Sequence, residues 1–271
     1  MNFRGIFFIF ILIFSNLKSN FVFAQITIDR KVIDIAIIDT DFCIEKINFN
    51  NNNNKLNLEN NLNILPPISL ESDYKSKSCD AINTDLQNLD KSIHGYFVLN
   101  YFIQEVFKNS ETIFKNYKLR IQPFIIFDTH GVQKEESWIK LNDLLNFKTY
   151  SYAILSVGFP SLSSNSKLIN VKLNSNIKYF VAAGELLGFF KKVKYLFPQD
   201  YQTNYNKIKF NFNLVGVEIF NGNRWVLDPN TRNSKKVSIK VKSDELISAP
   251  QVSSSFATPY ALVQHLIKKL N

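Results

Sequence analysis

The chain has 271 residues, with 32 lysines and arginines against 23 aspartates and glutamates, a net charge of +9. It is 45% hydrophobic and 14% aromatic, which excludes a disordered chain and suits one large α/β domain with a sizeable core. The basic residues are scattered and form no stripe, which argues against a nucleic-acid surface, and no glycine-rich phosphate loop opens any helix.

Met1 to Ala24 reads as a secretory signal. Arg4 supplies the positive start, Ile6 to Phe14 is unbroken and apolar, and Val22-Phe23-Ala24 precedes a cut at Gln25. The run is far shorter than the roughly 20 apolar residues of a spanning helix. The expectation is an exported chain, periplasmic or secreted, with its domain from 25 to 271 and no membrane span after the signal is removed. In an exported protein the even pair Cys43 and Cys79 suggests one disulfide. The alternative is two partly buried thiols, and two cysteines with no nearby histidine make no metal site.

Val32 to Ile38 is apolar but for Asp34 and largely β-branched, which suits a central parallel strand buried on both faces. It ends in Asp39-Thr40-Asp41, at the strand end where open α/β sheets gather functional groups. An Asp there can hold a histidine in one tautomer and stabilise its imidazolium; taken alone, it can equally be a turn residue. Asn48 to Lys91, with the run Asn50 to Asn54 and Pro66-Pro67, reads as an irregular surface excursion. His94-Gly95-Tyr96-Phe97-Val98-Leu99 then opens a helical apolar pattern. Of the three histidines, His130 lies in a turn-like Asp128-Thr129-His130-Gly131 and His265 in the terminal helix, which leaves His94 as the candidate general base.

Further along, Pro123 to Asp128 reads as a buried strand, Lys134 to Phe147 as a helix with Trp138, Leu141 and Leu145 inward, and Tyr152 to Gly158 as another strand. Tyr179 to Leu186 follows. Asn213 to Leu227 reads as a hairpin turning at Asn221-Gly222. Last, Ser253-Ser254-Ser255-Phe256-Ala257-Thr258-Pro259 leads into a helix whose inward face is Phe256, Tyr260, Val263, Ile267 and Leu270. Pro259 is expected in its first turn. Ser255 would sit at the N-terminus, where free N–H groups and the helix dipole favour developing negative charge; simple capping serines are the plainer alternative.

These blocks, in this order, resemble those of the subtilisin-like serine proteases from about Val32 to Leu270. Asp39-Thr40-Asp41 resembles the family's Asp-Thr/Ser-Gly, His94-Gly95-Tyr96-Phe97-Val98 its His-Gly-Thr-His-Val, and Ser156-Val157-Gly158 its Ser-Leu-Gly. Ala182-Ala183-Gly184-Glu185 resembles Ala-Ala-Gly-Asn, and Ser255 to Pro259 resembles Ser-Met-Ala-Thr-Pro. The resemblance implies a three-layer α/β fold with a mostly parallel central sheet and helices on both faces. It implies an exported serine endopeptidase acting on a protein or peptide substrate, with Asp39, His94 and Ser255 as the triad; no cofactor is expected, and no clear calcium-site sequence is present. Ser156, Val157, Gly158, Ala183 and Gly184 would line the substrate, with Gly158 allowing the close approach. Several positions depart from the pattern. Asp41 replaces a Gly that would take left-handed backbone, Ser253-Ser254 replace Gly-Thr before the nucleophile, and Glu185 stands in the oxyanion region where the family has Asn. An ionised Glu cannot donate to an oxyanion, whereas a protonated one can; the alternative is that the Asn is deleted and Glu185 belongs to the following loop. Few residues separate Ala24 from the first strand, so the family's inhibitory propeptide is expected to be missing, as are helices after Ser255. The competing reading is a subtilisin-like peptide-binding protein without turnover.

Overall fold

The apolar run from Val32 to Ile38 lies in β1 (Lys31–Asp39), at the middle of the sheet. The computed structural model describes residues 30–47, 60–72, 74, 79, 93–128, 130–161, 167–185, 195–200, 211–232 and 234–270; the expected signal lies outside them. After β1 come β2 (Leu62–Ile64), β3 (Ile68–Ser69), α1 (His94–Lys108), α2 (Ser110–Asn116), β4 (Tyr117–Ile125), α3 (Glu135–Phe147), β5 (Tyr152–Leu155) and β6 (Phe159–Ser161). These are followed by β7 (Lys178–Ala182), β8 (Tyr195–Phe197), β9 (Phe212–Phe220), β10 (Trp225–Leu227), β11 (Ile239–Lys242) and α4 (Ser254–Lys268).

The strand order is β10-β9-β7-β5-β1-β4-β2, with β3 also on β4 and β11 also on β9. All pairings in this sheet are parallel except the β9–β10 hairpin. Alternation along β1 sends Ile33, Ile35 and Ile37 into one core and Ala36 and Ile38 into the other. The first core is closed by α1 and α4, through Val98, Phe102, Phe256 and Leu262; the second by α3, through Trp138, Leu141 and Leu145. Each fully buried Ile contributes roughly 1.5–3 kcal/mol of transfer free energy. The result is the expected three-layer α/β arrangement with a mostly parallel sheet and helices on both faces.

Several elements differ from the sequence reading. Within the Asn48–Lys91 excursion, β2 and β3 form parallel ladders on β4 at either side of Pro66-Pro67. Strand β4 begins at Tyr117 instead of Pro123, because Tyr117 and Leu119 turn inward while Lys118 and Arg120 stay exposed. The hairpin loop is four residues long, not two: Trp225 pairs with Phe220, and Asn221 Oδ1 accepts from the N–H groups of Asn223 (3.3 Å) and Arg224 (3.1 Å). The buried face of α4 is broader than predicted. Ala257, Ala261, Leu262 and Leu266 lie inward with Phe256 and Val263, whereas Tyr260, Ile267 and Leu270 only flank the core. Pro259 lies inside α4, beyond its first turn.

Candidate active site

Asp39 ends β1 at the carboxyl edge of the sheet and is fully buried. His94 is the first residue of α1, with 23% of its side chain exposed. The two meet because the start of α1 is tied to the end of β1. The Gly95 N–H donates to Thr40 Oγ1 at 2.9 Å and the Tyr96 N–H to the Asp41 carbonyl at 3.0 Å, which satisfies two of the helix's orphan donors. Gly95 permits the approach: a Cβ there would lie 2.8 and 2.9 Å from the Thr40 and Asp41 carbonyl oxygens.

His94 Nδ1 consequently lies 2.8 Å from Asp39 Oδ1, which also accepts the Thr40 N–H at 2.8 Å. Asp39 Oδ2 is buried without a hydrogen-bond partner among the described residues. Burial by itself disfavours the imidazolium, but the charge and hydrogen bond of Asp39 outweigh it and raise the His94 pKa above its ordinary value of 6.5. The ring also stands 5.8 Å from that of Phe256, the residue after Ser255.

Ser255 is the second residue of α4, with Ser253 as N-cap. Ser253 holds ordinary extended backbone (φ −152°, ψ 164°) and caps with its carbonyl, which accepts from Phe256 (3.2 Å) and Ala257 (3.0 Å). Ser253 therefore takes the place of the family's Gly without backbone strain. The side chain of Ser255 donates to the Ser156 carbonyl at 3.2 Å, and Ser156 Oγ returns a bond to the Ser255 carbonyl at 3.0 Å. No hydrogen bond joins Ser255 to His94 among the described residues, and the Ser255 N–H is unused there.

Ser156, Val157 and Gly158 continue β5, and Ala183, Gly184 and Glu185 continue β7, the neighbouring parallel strand. The space into which a Gly158 side chain would project is taken by Gln199 and Leu196. A Cβ at Gly158 would lie 2.5 Å from Gln199 Oε1 and 2.9 Å from Leu196. Gln199 is buried, and its Nε2 bridges the two strand ends by donating to the carbonyls of Val157 (3.2 Å) and Ala182 (3.1 Å). The Gly158 carbonyl accepts from Gln133 Nε2 at 3.2 Å. Three consecutive carbonyls of this edge thus already bond side chains from elsewhere in the chain. No sequence pattern marks Gln199 or Gln133 for this work.

Gly184 takes left-handed backbone (φ +79°), and its carbonyl accepts the Arg232 N–H at 3.0 Å. Glu185 bridges Thr231. Burial first, then the charge of Asp228, raises the Glu185 pKa. Its side chain bonds neither Ser255 nor His94 among the described residues. Cys43 and Cys79 are joined in a disulfide with a Cα–Cα distance of 5.7 Å. The left-handed conformation expected at Asp41 falls at Cys43 instead (φ +40°). The Asp41 carboxylate builds the turn by accepting the Phe42 (2.7 Å) and Cys43 (3.3 Å) N–H groups and the Tyr74 hydroxyl. Among the described residues one trio, Asp41, Cys43 and Cys79, has metal-ligand proximity, and the disulfide removes both of its thiolates. His265 packs against the rings of Tyr152 (5.7 Å) and Phe180 (5.6 Å), away from the site.

No protein-family model matches the chain, and no curated protein matches it by sequence. Among solved structures it is similar to a lanthipeptide protease, at 12% identity over 87% of this chain and 72% of that one, with a TM-score of 0.49. It is also similar to a cold-adapted subtilisin-like serine proteinase, at 14% identity over 88% and 75%, with a TM-score of 0.45.

Proposed function

We propose that this chain is an exported serine endopeptidase of the subtilisin-like kind, with Ser255 as nucleophile, His94 as general base and Asp39 as the group that orients His94. The observation that carries the reading is the Asp39–His94 hydrogen bond at 2.8 Å, set at the carboxyl edge of the sheet with the Phe256 ring packed on the imidazole. A buried Asp on Nδ1 fixes the tautomer that leaves Nε2 free to take a proton. The reaction starts with rotation of the Ser255 hydroxyl from the Ser156 carbonyl towards His94. Ser255 Oγ attacks the peptide carbonyl as its proton passes to His94. The unused Ser255 N–H at the start of α4 donates to the oxyanion. His94 then gives the proton to the leaving amine, and water cleaves the acyl-enzyme by the same steps. Each carbonyl from Ser156 to Gly158 retains a second lone pair, so an extended peptide can still bond along this edge, opposite Ala183 and Gly184.

Glu185 supports a second reading, a peptide-binding protein without turnover, because an ionised carboxylate in the oxyanion region repels the charge it should hold. The raised pKa of Glu185 brings protonation nearer and with it an O–H donor. The test is intact mass after treatment with a fluorophosphonate, on the wild type and Ser255→Ala. One adduct, lost in the variant, is expected. Folded protein that takes no adduct at any pH yet binds an extended peptide would overturn the peptidase reading in favour of the binding protein. Because His94 must be neutral to act as base and its pKa is raised, labelling should increase with pH through a midpoint above 6.5.

A further inference from the structure

Pro259 sits within α4. An N–H at this position would bond the carbonyl four residues back, that of Ser255, and proline has none. That carbonyl is satisfied from outside the helix, by Ser156 Oγ at 3.0 Å across 99 residues of sequence. Ser156 is 7% exposed, and its own carbonyl holds the Ser255 hydroxyl at 3.2 Å. Two serines, one on the extension of β5 and one on α4, thus exchange hydrogen bonds.

The geometry points to Ser156 as a positioning residue for the nucleophile, an inference that rests on the reading of Ser255 given above. Its hydroxyl supplies the bond that Pro259 withholds and fixes the backbone of Ser255, hence the direction of the Ser255 N–H and the reach of its Oγ. Its carbonyl holds the resting hydroxyl apart from His94. The helix ladder would pull the Ser255 carbonyl along the α4 axis. The proline releases it sideways, to the strand end where substrate would lie. A role confined to packing would need neither the proline nor the hydroxyl.

The arrangement makes a prediction about coupling. In the full chain, Ser156→Ala should lower the rate of fluorophosphonate labelling at Ser255 about tenfold. Ser156→Thr, which keeps the hydroxyl, should recover most of the loss. Pro259→Ala restores an N–H to the Ser255 carbonyl, so in that background Ser156→Ala should cost less than about threefold. Equal losses in both backgrounds, or no loss in either, would overturn the inference. Amide hydrogen exchange over residues 254–258 gives a readout that does not need chemistry. Exchange should speed up in Ser156→Ala and return towards wild type in the double variant. If the wild type takes no label, the peptidase reading fails and the exchange result alone decides the anchor: faster exchange reversed by Pro259→Ala upholds it, and unchanged exchange removes it.

Discussion

Asp39 and His94 are held by adjoining backbone, whereas Ser255 and Glu185 come to the site from separate elements and engage other partners. In the first half, the end of β1 and the start of α1 are stitched by Thr40, Asp41 and Gly95, and the side chains meet at hydrogen-bond distance. In the second half, the Ser255 hydroxyl rests on Ser156 and Glu185 rests beside Asp228 and Thr231. The Asp39–His94 pair is preorganised by the fold. Ser255 and Glu185, the proposed nucleophile and oxyanion-region residue, engage other partners and would need a rotation or a proton to act.

The largest effect should come from breaking the first half at its charge. Asp39→Asn is expected to slow labelling of Ser255 about 10⁴-fold by removing the group that fixes the His94 tautomer. It should also reverse the pH shift. Burial would then act on His94 without a carboxylate to oppose it, so the midpoint of the labelling profile should fall below 6.5. A midpoint that stays above 6.5 would mean that another group raises His94.

Gly95→Ala attacks the same half through space. The new Cβ meets two backbone carbonyls at under 3 Å, so α1 must withdraw from β1. We expect a loss of about 1–3 kcal/mol in stability by thermal unfolding and a labelling rate lowered about 10- to 100-fold as His94 leaves its partner. Full activity in this variant would show that the stitch does not set the geometry.

The second half is sharpened by Glu185→Gln, which supplies an amide donor at every pH and removes the repulsion with Asp228. Labelling at neutral pH should rise, by about tenfold, and the wild type should approach the variant as the pH falls and Glu185 protonates. An unchanged rate would place Glu185 outside the oxyanion region.

The sequence was most informative where one residue type dictates one environment. The largely β-branched run of β1 feeds both cores from Ile33 onward, and the Asp at its end and the His-Gly pair opening α1 are short patterns tied to adjoining backbone. The parts that were not legible depend on partners far along the chain. Strands of two or three residues, β2 and β3, carry too little pattern to announce themselves, and they exist because β4 offers a ladder on either side of Pro66-Pro67. The left-handed residue moved from Asp41 to Cys43 because the Asp41 side chain itself caps the two following N–H groups. Gly158 was read as a place where substrate backbone comes close; within the chain, the group its missing Cβ makes room for is Gln199, a residue with no local signature. Pro259 reads from sequence as a helix-start residue, and only the position of Ser156 shows what its missing N–H releases.

The Asp39–His94 bond spans 55 residues of chain and the Ser156–Ser255 pair spans 99, each joining the end of a central parallel strand, β1 or β5, to the start of a helix, α1 or α4. Contacts of such long sequence separation form late, after their loop-closure entropy has been met, and they slow folding. Local helix formation in α1 or α4 cannot bring the candidate residues together by itself. Reactivity at Ser255 would therefore arise only once β1, β5 and α4 have docked, which ties the onset of chemistry to the end of folding and leaves partly folded chains chemically silent.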